Sequence, residues 1–213
     1  MSVFQAKKQG VKNFSVLVSH VLVPPSIASI LQSPQNRVQG FLGPGHVCTV
    51  MGYREYEPLA ERFQVPIVIT GFEPVDILQG ALMSVTPARS RNPDSGKSVS
   101  AVVSRDGNRV AQIWSTTSSK FAIANGVASD QSRKAATKLR YEFRDHDAER
   151  IFDVKEIDTQ EPANCISGLV LRGVKKPHDC ACFGKQCTPE TPLGATMVSA
   201  EGACAAYYAY GRH

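Results

Sequence analysis

The 213-residue chain is 42% hydrophobic, 20% charged and 8% aromatic, an ordinary globular composition long enough for one large domain or two small ones. That excludes a disordered tail, a collagen-like fibre and a small disulfide knot, and no apolar run nears the roughly 20 residues of a membrane-spanning helix. The formal charge of +5 comes from residues 86–150, which hold 12 Lys and Arg against 7 Asp and Glu; lacking a basic helical stripe or interleaved aromatics, they do not describe a nucleic-acid surface.

In chain order, SVFQAKKQG reads as the end of a helix stopped at Gly10, without the apolar segment of a secretory signal. A cytosolic protein is the default expectation. NFSVLVS (13–19) carries the β-branched apolar pattern of a buried strand. Pro24 and Pro25 open a helix through SIASILQS, at the first turn, where a missing N–H costs nothing. VQGFLG (38–43) is the next strand, YREYEPLAERF (53–63) an amphipathic helix, and VPIVITGF (65–72) the clearest strand. EPVDILQGALMSV (73–85) follows as a helix with acidic residues in its first turn, which suit the helix dipole. Strands alternating with helices predict an α/β, three-layer, parallel-sheet domain over residues 1–85. Because it opens on a helix end, the domain is expected to lack a preceding strand.

Residues 86–137 lose periodicity and form a divergent segment, expected to be mobile. Within it, VSAVVSRDGNRVAQIW predicts either a strand pair around Asp106-Gly107 or a helix from Asn108. Order returns over 138–160 at LRYEFRDHDAERIFDVKEID, and with the Cys-, Gly- and Pro-rich stretch 161–213, which ends in the apolar EGACAAYYAY helix, it makes residues 138–213 a C-terminal lobe.

Five of the six cysteines crowd that lobe. In a cytosolic chain such crowding points to metal or redox chemistry before disulfides. Cys165, Cys180, Cys187 and Cys204 could surround one zinc ion or one cubane iron–sulfur cluster. Their spacings are longer than the close pairs of zinc knuckles and fit a cluster better; buried cysteines without metal are the simpler alternative. Cys180 and Cys182 are the one pair placed for thiol redox work, and no C-x-x-C is present.

GFLGPGHVCTVMG (40–52) sits where the second strand ends, the edge at which open α/β sheets place ligands. There the Gly-Pro-Gly turn presents His46 as a metal ligand, a proton shuttle or a hydrogen-bonded loop histidine. Glu73 and Asp76, at the same edge, either cap a helix or face the cleft. Glu201, three residues before Cys204, is either a proton donor or second ligand beside the cysteines, or a first-turn charge. No P-loop, G-x-G-x-x-G, H-E-x-x-H or G-x-S-x-G is present, which argues against a standard kinase, nicotinamide enzyme or hydrolase.

Together, NFSVLVSHVLVPP (13–25), VQGFLGPGHV (38–47), GFEPVDILQG (71–80), RYEFRDHDAERIF (140–152), VLRG (170–173) and CFGKQCTPETPLGATMVSAEGACAAYY (182–208) resemble the HypD family of [NiFe] hydrogenase maturation factors. These strings hold 77 of the 213 residues and are spread from residue 13 to residue 208. It implies α/β domains followed by a C-terminal lobe of iron–sulfur type. There Cys165, Cys180, Cys187 and Cys204 would bind a [4Fe-4S] cluster. It also implies a scaffold more than a turnover enzyme: the protein joins a HypC-like chaperone and carries iron while it gains cyanide and carbonyl ligands, the cyanide coming from a HypE-like donor. No nucleic acid or membrane is involved. His46 and Glu201 map onto cleft residues that face the iron, and His46 counts among the metal ligands. The alternative is a zinc- or cluster-stabilised partner-binding module without redox activity.

Several features depart from the family. Ser167 stands where a second cysteine is common, and Cys182 where proline is usual, so Cys182 is not expected to be a ligand. The C-G-T-H, G-P-G-C-P-V-C and G-F-E-T-T motifs are absent, and Met1 falls inside what would be a mid-protein helix. The expectation is an N-terminally truncated chain of partial or no activity, with a marginal fold because a shortened parallel sheet exposes apolar surface and an unpaired edge. Residues 86–104 and 113–137 match the family badly, as a local frame slip or relaxed selection would leave them.

Overall fold

A continuous β-branched run, Ile67–Thr70, forms the middle strand of a small parallel sheet, and all four of its residues are buried. The structure is a computed structural model and describes residues 2–18, 20–89, 99–101, 103–122, 136–152 and 162–211. Its helices are α1 (Ser2–Lys8), α2 (Val23–Gln32), α3 (Gly45–Met51), α4 (Glu57–Phe63), α5 (Pro74–Arg89), α6 (Arg109–Ser118), α7 (Ala148–Ile151), α8 (Ser167–Leu171), α9 (Ala195–Val198) and α10 (Ala203–Tyr210). The strands are β1 (Phe41–Pro44), β2 (Ile67–Thr70), β3 (Val99–Ala101), β4 (Ser119–Ala122) and β5 (Ala136–Leu139).

β2 pairs in parallel with β1, Phe41 opposite Ile67 through Pro44 opposite Thr70, and with β3, Ile67 opposite Val99. The sheet therefore draws a strand from beyond residue 85. β4 and β5 form a separate antiparallel pair. Ile67 and Ile69 pack with Ile27 of α2, Cys48 of α3, Tyr56 of the 3-10 turn Arg54–Tyr56 and Ala60 of α4 into the main core. α5 rests on the sheet through Gly80, where a Cβ would collide with Thr70 and crowd Leu42. The fold is thus mixed α/β with a small parallel sheet and a cysteine-containing C-terminal region.

Most local expectations hold. α1 stops before Gly10, whose φ of +68° an L side chain rarely adopts. α2 carries its prolines in the first turn. The helix reading of the Asp106-Gly107 region holds: the Asn108 side chain accepts from the Ala111 amide 3.1 Å away and starts α6.

Two expectations are corrected. The described residues of the 13–19 run, 13–18, form no strand in the sheet; among them Val16 alone makes a bridge, parallel to Asp147. Its amide donates to His146 and its carbonyl accepts from Ala148, so the run is tied to the start of α7, and Leu17 stays 63% exposed. An apolar run becomes a sheet strand only where a neighbour offers its backbone, and β2 already has β1 and β3. The second correction is His46, which lies in the first turn of α3 and not in a loop.

The C-terminal region is tied to the sheet region by Arg172. Its carbonyl accepts from the Arg37 amide at 2.9 Å, and its guanidinium donates to Ser33 Oγ at 3.4 Å. No described helix is long and apolar enough to cross a membrane. Residues 90–98, 102, 123–135 and 153–161, within the segments read above as mobile or as regaining order, lie outside the described residues.

Candidate metal centre

Short helices and turns deliver the four cysteines from separate points of the C-terminal region. Cys165 ends a turn closed by its amide on the Pro162 carbonyl at 2.8 Å, just ahead of α8. Cys180 follows a single 3-10 turn, Pro177–Asp179, held by the Asp179 carboxylate accepting from the Lys176 amide at 2.8 Å. Cys187 closes a tight loop: its amide donates to Cys182 and its carbonyl accepts from Gly184. Cys204 sits in the first turn of α10.

These elements bring Cys165, Cys180, Cys187 and Cys204 around one narrow void of about 20 Å³, which Ser167, Gly194, Thr196 and Met197 help to line. All four cysteines are free thiols. Two sulfurs have donors aimed at them: Thr196 Oγ1 lies 3.0 Å from Cys204 Sγ, and the Leu193 amide 3.4 Å from Cys187 Sγ. Burial pushes the Cys204 thiol up, the Thr196 hydrogen bond opposes this, and Cys187, Cys165 and Cys180 add like-charge repulsion. Met197, 1% exposed, closes the floor. Gly194 keeps the wall open, because a Cβ there would collide with Cys165 Sγ.

The residues fit a thiolate-bound group. Four soft donors converge, the backbone leaves clearance at Gly194, and no lysine or arginine lines the void. Among the described residues, no three His, Cys, Asp or Glu side chains close tightly enough on one point to hold a single metal ion.

Cys182 does not line the void. It is buried behind it, where Asn164 Nδ2 lies 3.2 Å from its sulfur and Gln186 Oε1 3.5 Å. Desolvation raises its thiol, and the neighbouring Cys180 raises it further.

His46 and Glu201 do not line the void either. His46 is exposed at the carboxyl edge of β1 and β2, its ring 5.0 Å from that of Phe72. Gly45 sets that position, since a Cβ on it would collide with the Thr70 carbonyl and lift α3 off the strand end. Asp76 lies against Gly71 in the first turn of α5, in the helix-end arrangement. Glu201 is exposed just before the N-cap of α10, its amide donating to Ser199 Oγ at 3.2 Å. Cys48 is fully buried in the main core.

Sequence reading missed Gly194 and Thr196. Gly194 is the N-cap of α9 and Thr196 lies in its first turn, and their partners are cysteines on other elements. Only the match of their segment to a family string marked them.

The HypD family model, described as hydrogenase formation hypA family, matches residues 1–211. The chain is 43% identical to the hydrogenase maturation factor HypD2 of Bradyrhizobium diazoefficiens over 216 residues, covering 97% of this chain and 56% of that protein. Identity to the hydrogenase maturation factor HypD of Cupriavidus necator is 42%, over 98% of this chain and 57% of that protein. The HypD of Escherichia coli is 36% identical over 97% of this chain and 56% of its own length. The chain spans a little over half the length of these curated relatives.

Proposed function

Because the chain belongs to the HypD family of hydrogenase-formation proteins, we propose that it serves as a scaffold in assembling the Fe(CN)2CO centre of a [NiFe] hydrogenase. The observation that carries this reading furthest is the convergence of Cys165, Cys180, Cys187 and Cys204 on one void. Those four thiols are the proposed ligands of a [4Fe-4S] cluster. Sulfurs around a single zinc ion, each about 2.3 Å from it, crowd together, whereas each thiolate of a cubane binds its own iron. Four thiols lining one void are the soft donor set that such a cluster takes. Bound there, such a cluster supplies single electrons at a potential set by burial and by hydrogen bonds to its sulfurs.

The chain's own groups divide the work. Thr196 and the Leu193 amide orient the Cys204 and Cys187 sulfurs, and Met197 excludes water from below. His46, exposed at the sheet's carboxyl edge, and Glu201, exposed before α10, are the proposed contacts of the iron being carried, with His46 as a ligand. We assign the sheet region the three-layer arrangement of an α/β domain, and the cysteine region the role of an iron–sulfur lobe. A HypC-like chaperone and a HypE-like cyanide donor are the proposed partners, in the cytoplasm, where six free thiols remain reduced.

The test is anaerobic purification followed by iron, labile sulfide and zinc analysis of one sample. Co-expression with HypC-like and HypE-like proteins and infrared detection of iron-bound cyanide and carbonyl then follows. About four irons and four sulfides per chain, with those infrared bands, are expected. Zinc without sulfide would reassign the lobe to a structural partner-binding module.

A further inference from the structure

α5 rests on the sheet through small residues and turns a stripe of four large apolar residues away from it, while Ile77 and Met83 lie on its flanks. Gly80 is buried against Thr70 and Leu42, and Asp76 and Ser84, one turn to either side, are half-buried on the same face. At about 100° per residue, Val75, Leu78, Leu82 and Val85 fall on the opposite face. There they are 72%, 71%, 63% and 51% exposed. A surface helix that ends at solvent has the reverse arrangement.

The stripe has two properties that select what covers it. Its spacing of three, four and three residues is that of a helix–helix seam. It also reads Val-Leu-Leu-Val in both directions. Two antiparallel copies related by a two-fold axis would set Val75 against Val85 and Leu78 against Leu82, so like volume meets like. Such self-complementarity is what a two-fold interface requires. Charge agrees: between Val75 and Val85 the one charged residue is Asp76, which faces Gly71 and not the stripe. Two chains of formal charge +5 repel, and the neutral stripe lets them meet without placing like charges opposite each other.

We propose that α5 is the seam of a reversible antiparallel homodimer of this chain. The inference stands apart from the hydrogenase reading. Side chains of this size bury roughly 60–120 Å² each, so the four give on the order of 350 Å² per copy, below the roughly 800 Å² per partner of a standard stable interface. The dimer is therefore weak, with a micromolar dissociation constant.

Sedimentation of the full chain from about 1 to about 200 μM tests this. The expected result is a monomer–dimer equilibrium. L78E and L82Q, at exposed positions, should keep the far-ultraviolet circular dichroism and melting of the dilute wild type while weakening dimerisation at least about tenfold. L78E/L82K places opposite charges across an antiparallel seam and should recover dimerisation relative to L78E. A single monomeric mass at every concentration, open-ended aggregation, or a dimer indifferent to both single substitutions would overturn the proposal. Failure of L78E/L82K to exceed L78E would overturn the antiparallel pairing.

Discussion

Gly194 stands against Cys165 so closely that any side chain at position 194 would collide with the Cys165 sulfur. Its φ of −125° suits any residue, so the requirement for glycine is steric and comes from the thiol. Gly194→Ala should cost about 1–3 kcal/mol of stability through overpacking. It should also lower iron and sulfide content per chain while far-ultraviolet circular dichroism stays unchanged. Normal loading in a folded Gly194→Ala protein would mean that the clearance at Gly194 is not needed for Cys165 to act as a ligand.

The void divides the five clustered cysteines into four and one. Cys165→Ser, Cys180→Ser, Cys187→Ser and Cys204→Ser should each reduce labile sulfide to under about a tenth of wild type, because serine is a poor match for soft iron sites. Cys182→Ala should keep the cluster and lose about 1 kcal/mol, since it removes a buried sulfur and leaves Asn164 without that acceptor. Sulfide analysis of the five variants in parallel checks this ordering. Loss of sulfide in Cys182→Ala with retention in any of the other four would move the ligand set.

Legibility followed how local the physics was. β2 was readable because four consecutive buried positions need a continuous β-branched run. α2 announced itself through its prolines. The cysteine cluster was readable by composition; its four members that line the void were set apart by spacing, and Cys182 was separated from them only by the family resemblance. The 13–19 run misled because its pattern is that of a strand, while its hydrogen bonds go to His146 and Ala148, far along the chain. His46 was placed in a loop because Gly-Pro-Gly is turn chemistry, yet Pro44 and Gly45 here start a helix. β3 is three residues long, within the VSAVV run offered as a strand, but it pairs with β2 and not across the Asp106-Gly107 turn, a choice of partner that no local pattern records. Gly194 and Thr196 act on cysteines distant in sequence, so their roles arise only in the folded chain.

His46 and its neighbour Gly45 separate function from folding. His46 is exposed, so His46→Ala should change stability by no more than about 0.5 kcal/mol. It should leave cluster content intact and abolish the infrared bands of carried cyanide- and carbonyl-bound iron. Gly45→Ala should do the reverse in part: the new Cβ meets the Thr70 carbonyl, which has no side-chain freedom to yield, and stability should fall by about 1–3 kcal/mol. Thermal melts and infrared spectra of the two variants make the comparison. Undiminished bands in His46→Ala would remove His46 from the iron site.

Alkaline pH should destabilise the metal-free protein, and Cys48 gives that effect a location. Cys48 is fully buried and hydrogen-bonds Tyr56, itself 2% exposed. Burial pushes the Cys48 thiol above its ordinary value of 9.0, and burial together with Cys48 pushes Tyr56 above its ordinary 10.0. Each group is neutral when protonated. The folded chain therefore holds protons at pH values where the unfolded chain has released them. The contribution to stability is complete below the unfolded values. It declines as pH rises past 9.0 for Cys48 and past 10.0 for Tyr56, until each raised folded value is reached. The slope approaches about 1.4 kcal/mol per pH unit per group once the unfolded chain is fully ionised. Raised thiols at Cys182 and Cys204 act in the same direction, so the informative quantity is a difference between variants. Urea unfolding of wild type and Cys48→Ala between pH 7.5 and 10.5 should show Cys48→Ala less stable at the lower limit, by about 1 kcal/mol, with a shallower decline above pH 9. Parallel declines would place the alkaline sensitivity outside the Cys48–Tyr56 pair.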